Sequence, residues 1–121
     1  TIVANLLMWY KAMEAAEELE KEGISCEIID PRSLVPFDYE TVLESLRKTG
    51  RLMIVHEDHY NGGWGAQLAS YVAEHAITLL DAPIVRVAAP DCPIPFSPTL
   101  ENYVIPSAQR IAEEARKLAR L

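Results

Sequence analysis

Two hydrophobic periods alternate along the 121-residue chain, and their alternation predicts a sheet covered by helices. Ile2 to about Leu6 is a short apolar run of the kind that forms a buried strand. Ala12, Ala15, Ala16 and Leu19 then recur at helical spacing, with Lys11, Glu14, Glu18 and Lys21 on the rest of the wheel and Gly23 placed to stop the helix. Ile24 to Asp30 reads as a second strand. Pro31 and Pro36 punctuate the next turn, Asp38 is placed to cap a helix with Tyr39, Val42, Leu43 and Leu46 on one face, and Gly50 ends it. Leu52 to Val55 suits a central strand buried on both faces, and His56-Glu57-Asp58-His59 leaves it as a polar loop.

Asn61 to Gly65 opens a long helix carrying Leu68, Ala69, Val72, Ala76, Leu79 and Leu80, and Ile84 to Ala88 is a last strand. Pro90, Pro93, Pro95, Pro98 and Pro106 follow in a stretch too proline-rich for a regular element and too apolar for a free linker, so a loop packed on the body is expected. Ser107 is placed to cap a final helix with Ile111, Ala112, Ala115, Leu118 and Ala119 inward, and Glu113 precedes Lys117 by one helical turn as a surface pair. The order β-α-β-α-β-α-β-α makes the fold class α/β, with a mostly parallel sheet and helices on both faces.

Composition narrows this to one domain. Half the residues are apolar, which lets a chain of this length bury about two-thirds of its unfolded surface around a single core. The net charge of −7 argues against nucleic acid and anionic membranes as partners and suits a cationic one. No uncharged apolar run reaches membrane-spanning length and no signal-peptide pattern opens the chain, whose start reads as that of a domain cut from something longer. Cys26 and Cys92 form no C-x-x-C pair and have no histidine at zinc-ligand spacing, which fits a reducing compartment.

The candidate chemistry is thin. His56, Glu57, Asp58 and His59 cluster where a central strand ends, the usual ligand position in open α/β sheets, but consecutive residues point to alternate sides and cannot close around one ion. Gly62-Gly63-Trp64-Gly65 precedes a helix and could cradle an anion, yet it matches neither dinucleotide nor phosphate-loop spacing and has no following lysine. His75 is expected as a packing or interface residue and Cys92 as an inert thiol. No catalytic, cofactor-binding or metal-binding residue is assigned.

Gly23-Ile-Ser-Cys-Glu-Ile-Ile-Asp-Pro-Arg-Ser-Leu-Val-Pro-Phe-Asp38 resembles a segment of transketolase-like C-terminal domains. The likeness continues in register through Lys48-Thr-Gly-Arg-Leu52, His56-Glu57, Gly62 to Ala66, Asp81-Ala-Pro83, Arg86-Val87 and Pro90-Asp91-x-Pro93-x-Pro95, which resemble the E1 β subunits of pyruvate, branched-chain and acetoin dehydrogenase complexes. The resemblance covers residues 11–121 and implies that residues 1–121 are one three-layer α/β/α domain. It also implies a mixed, mostly parallel sheet of five strands, the fifth falling in the proline-rich loop. The family's thiamine-activating pyrimidine domain lies upstream, and the α subunit holds the diphosphate and its magnesium. Neither part is present here, so the chain is not expected to act alone, or to hold a cofactor or metal. The parent reaction is oxidative decarboxylation of a 2-oxo acid with acyl transfer to lipoyl-E2, in the cytoplasm or the mitochondrial matrix.

What the resemblance implies for this part is assembly. In the family these domains pair in an α2β2 enzyme and dock the peripheral subunit-binding domain of E2, and the matching docking positions are Ile77, Asp81 and Leu121, the last through a terminal carboxylate. One region departs from the pattern. Relatives usually leave the first strand through small or polar residues such as a glycine and serine, whereas Asn5-Leu6-Leu7-Met8-Trp9-Tyr10 is bulky, which predicts an apolar contact surface at Leu6, Leu7, Met8 and Trp9 and a two-fold dimer. Either this surface meets a native partner or it was altered to make a new contact. The second reading of the whole chain is accordingly a self-assembling interaction module without enzymatic duty, an engineered oligomer component included.

Overall fold

The computed structural model describes all residues, Thr1–Leu121. Four strands, β1 (Ile2–Ala4), β2 (Ile28–Ile29), β3 (Met53–His59) and β4 (Val85–Ala89), form one sheet in the order β2-β1-β3-β4, with every pairing parallel. Helices α1 (Leu7–Lys21), α2 (Tyr39–Thr49), α3 (Trp64–His75), α4 (Pro98–Val104) and α5 (Ala108–Ala119) connect or follow them, and a single 3-10 turn spans Ile77–Leu79. The α/β class and the three layers stand.

The layers follow from strand alternation. Ile2, Ala4, Met53 and Val55 face α1 and α5, where Met8, Ala12, Ala15, Leu19, Ile111 and Leu118 close one core. Val3 and Ile54 face the other way, onto Val42 and Leu46 of α2 and Leu68 and Val72 of α3. Each large side chain so buried contributes roughly 1.5–3 kcal/mol. Caps fix where the helices begin: Asp38 accepts from the Thr41 N–H at 3.1 Å and Ser107 from the Arg110 N–H at 3.1 Å. Arg116 grips the Glu22 carboxylate through two nitrogens at 2.7 Å each, tying α5 to the end of α1; that grip holds the Glu22 carboxyl below its ordinary range.

Several expectations are corrected. The sheet has four parallel strands, not five with one reversed, because the proline-rich stretch lacks the N–H groups a fifth strand would donate. That stretch instead holds α4, begun by Ser97 with Pro98 at its first position. The second strand shrinks to two paired residues, and His56 to His59 belong to β3 itself, which bends through a register irregularity between Val55 and His59. The third helix stops at His75, and Lys117 pairs with Glu114 at 2.6 Å instead of Glu113.

Candidate functional site

Because all strands run the same way, the sheet has two chemically distinct ends. At the carboxyl end, His56 is fully buried beneath the start of α3. Its Nδ1 meets the Asp58 carbonyl at 3.1 Å, its Nε2 has no partner, and its ring centroid lies 5.3 Å from that of Trp64. Burial holds the imidazole pKa below its ordinary value, against the raising effect of the Asp58 carbonyl, so the neutral ring is favoured. A Cβ on Gly65 would come within 2.6 Å of His56 Nε2, and one on Gly63 within 2.6 Å of the His59 carbonyl. The glycines are there to let the helix start close over the ring. They do not form an open anion cradle, and Glu57, Asp58 and Asp91 around them repel phosphate.

The polar tetrad does not converge. His59 turns its Nε2 onto the Cys92 carbonyl at 2.6 Å, and Asn61 binds the Asp91 carboxylate through its backbone N–H at 2.9 Å and through its side chain, which ties β3 to the start of the proline-rich stretch. Arg86 donates to the Tyr60 carbonyl at 2.9 Å and lies 3.9 Å over the Tyr60 ring. His75 is half exposed and packs on Tyr71, which stacks on Tyr39 at 3.6 Å.

The bulky junction divides. Met8, expected at the contact surface, is wholly buried in the α1–α5 core, because the helix begins at Leu7 and Met8 takes the first inward position ahead of Ala12, Ala15 and Leu19. Leu6 is 74 % exposed, Leu7 is exposed and Trp9 half-buried. Leu6 stands at φ 52°, ψ −132°, a conformation natural to glycine and costing another residue about 1–3 kcal/mol. Leu6, Trp9 and Tyr10 share a surface depression with Pro31, Arg32 and Leu34 from the exit of β2.

The amino end is built differently. The Gly50 backbone is left-handed at φ 66°, accepts the Asp81 N–H at 2.8 Å, and leaves no room for a Cβ under the Asp81 carboxylate. Ile77 and the exposed Asp81 line one shallow depression with Leu80, Ala82, Pro83 and Ile84. Leu121 is not in that depression but lies at the same end, where Arg51, next to Gly50, donates to the Leu118 carbonyl at 3.1 Å. Nearby, Ser45 and Lys48 bind the Glu27 carboxylate and hold its pKa down, while burial pushes the Cys26 thiol up.

The family described as "Transketolase, C-terminal domain" matches residues 1–111. The chain belongs to that family. It is 48% identical over 117 residues to the acetoin:2,6-dichlorophenolindophenol oxidoreductase subunit beta of Cupriavidus necator, matching 97% of this chain and 35% of that one. It is 38% identical over 120 residues to the 2-oxoisovalerate dehydrogenase subunit beta of Bacillus subtilis, matching 98% of this chain and 37% of the relative. The pyruvate dehydrogenase E1 component subunit beta of Rickettsia felis is 41% identical over 118 residues, matching 98% and 36%. A solved structure titled "Split gene transketolase, inactive beta4 tetramer" superposes with a TM-score of 0.83 at 33% identity, covering 99% of this chain and 38% of that one. The transketolase C-terminal domain seen here thus spans about a third of the length of the curated relatives it matches. No helix in it is long and apolar enough to cross a membrane.

Two features escaped the sequence reading. Helix α4 was signalled by Ser97-Pro98, an N-cap followed by proline, but the surrounding prolines masked it. The burial of His56 had a signal in the nearby glycines, whose meaning depends on the helix start folding back over the strand.

Proposed function

We propose that this chain is the assembly domain of the β subunit of a 2-oxo acid dehydrogenase E1, joining β subunits to one another and docking the E2 acyltransferase. The parent enzyme decarboxylates a 2-oxo acid oxidatively with thiamine diphosphate and magnesium held outside this domain, between the rest of the β subunit and the α subunit. The observation that carries the docking role is the amino end of the sheet: Ile77 offers an exposed apolar contact beside Asp81, whose backbone is anchored on Gly50. Leu121 adds an apolar flank at the same end, and the net charge of −7 favours a basic docking domain. In calorimetry against a basic subunit-binding domain, Asp81→Lys is expected to lower affinity at least about tenfold and to flatten its salt dependence. Affinity and salt slope equal to wild type would remove Asp81 from the docking surface.

Pairing of β subunits is assigned to Leu6, Leu7 and Trp9, with Met8 excluded by its burial. A second reading, a self-assembling module without catalysis, draws on the same surface. The relative titled as an inactive β4 tetramer supports self-assembly of such chains, and the glycine-like conformation held by Leu6 marks the place where this chain departs from its family.

A further inference from the structure

The two nitrogens of the buried His56 ring are held differently. Nδ1 lies 3.1 Å from the Asp58 carbonyl, an oxygen that can only accept, so Nδ1 carries the proton of the neutral ring and Nε2 is a bare acceptor. Nε2 is buried and has no partner. The start of α3 is pressed onto that edge. A Cβ on Gly65 would fall 2.6 Å from Nε2 and one on Gly63 2.5 Å from Cε1, so glycine backbone roofs the nitrogen and leaves no space for an acceptor side chain. Trp64, the first residue of the helix, is held in the same closure with its own Nε1 buried and unpartnered.

A second proton has no place in this arrangement. The N–H it creates would point at the beginning of a helix, where free backbone N–H groups and the positive end of the dipole oppose a cation. Gly63 brings no capping side chain, and the first turn of α3 has no acidic residue to accept from the ring. Of the charged groups acting on it, Asp58 on its own strand favours the proton and Arg86 on β4 opposes it. A hinge stands just ahead of the helix, because Gly62 is at φ 82° in open space. We propose that His56 is a proton-operated latch: the neutral ring lets α3 close over β3, and a proton taken from solvent onto Nε2 swings Gly62 to Ala66 outward and carries Trp64 into water. Opening gives both unpartnered nitrogens water to bond with, which favours the open state. The latch reshapes only the carboxyl-end surface of Glu57, Asp58 and Asn61 and leaves the Gly50–Asp81 contact at the amino end out of the motion.

The test is amide hydrogen exchange of the 121-residue chain from pH 8 to pH 5, corrected for the intrinsic rate at each pH, with His56→Asn beside it. In the closed helix the amides of Gln67 to Ser70 bond to the carbonyls of Gly63 to Ala66. Their protection is expected to fall at least about tenfold as His56 takes its proton, the factor that one pH unit of linkage gives, while β3 and α5 keep theirs. The midpoint of that loss is expected to match protonation of His56 followed by nitrogen NMR, and not that of His59 or His75, a comparison made within wild type and independent of how the variant folds. In a Trp9→Phe chain the remaining tryptophan, Trp64, is expected to shift its emission to the red over the same range. His56→Asn, which cannot take the proton, is expected to keep the helix start as protected at pH 5 as at pH 8. Protection that is flat with pH in wild type, that follows another histidine, that falls as far in His56→Asn, or that falls equally in β3 and α5 overturns the latch.

Discussion

The two ends of the sheet solve opposite problems with one backbone. At the amino end the chain is knitted by polar contacts, with Gly50 under Asp81, Arg51 on the Leu118 carbonyl and Lys48 on Glu27, and Ile77 and Leu121 are its exposed large apolar residues. At the carboxyl end Leu6, Tyr10, Val35, Phe96 and Tyr103 all reach into solvent, and one of them sits on strained backbone. Apolar surface left in water on this scale forgoes several kcal/mol of burial. The contrast is between an end held together by charge and hydrogen bonds and an end that exposes apolar area, and the two proposed contacts rest on that difference.

Core and surface meet within one turn at the carboxyl end, and there the contrast is easiest to break. Met8→Ala is expected to lower unfolding free energy by about 2–5 kcal/mol in urea titration, whereas Leu7→Ala is expected to change it by under about 0.5 kcal/mol. Equal costs would mean that the core and surface assignments of the two neighbours are wrong. A smaller effect of opposite sign is expected from Leu6→Gly, which relieves the backbone and stabilises the monomer by about 1 kcal/mol, while weakening any dimer that uses the leucine. Loss of stability in Leu6→Gly would show that the side chain belongs to its own core.

The smallest effect is on pH. Burial depresses the His56 pKa in the folded state, so the unfolded chain binds a proton there first as pH falls. The contribution is complete above the unfolded value of about 6.5 and is lost as pH falls from there toward the depressed folded value. Urea midpoints measured from pH 8 to pH 5 are expected to decline for wild type more steeply than for His56→Asn, and parallel curves would remove His56 as the group responsible.

Much of this architecture was legible in the residues. Val3, Ile54, Leu68 and Val72 announced buried faces by spacing alone, and Asp38, Gly50 and Ser107 announced helix ends through cap chemistry that depends on neighbours a few positions away. Met8 was misplaced because a helix starting at Leu7 puts it in register with Ala12, and a run of five large residues conceals that phase. The reach of β3 through His59 was hidden because its polar residues looked like a loop, although His56 is covered by a helix start and His59 is satisfied by the Cys92 carbonyl. The depression could not be read, since it gathers side chains from two segments that only the strand order brings side by side.

Strand β1 has three residues, lies inside the sheet and begins the chain's regular structure, with Ile2 opposite Ile28 on one side and opposite Met53 on the other. Neither pairing is a hairpin, so no short turn can nucleate the centre of the sheet. Loops of tens of residues must close before Val3 has both neighbours, and the entropy of that closure is lost before any contact offsets it. Helices α1 and α2 can form early as local events, but the sheet they cover is expected to arrive late and in one step, as in other folds dominated by contacts between distant segments. Until it does, the apolar faces of both helices remain open to other chains.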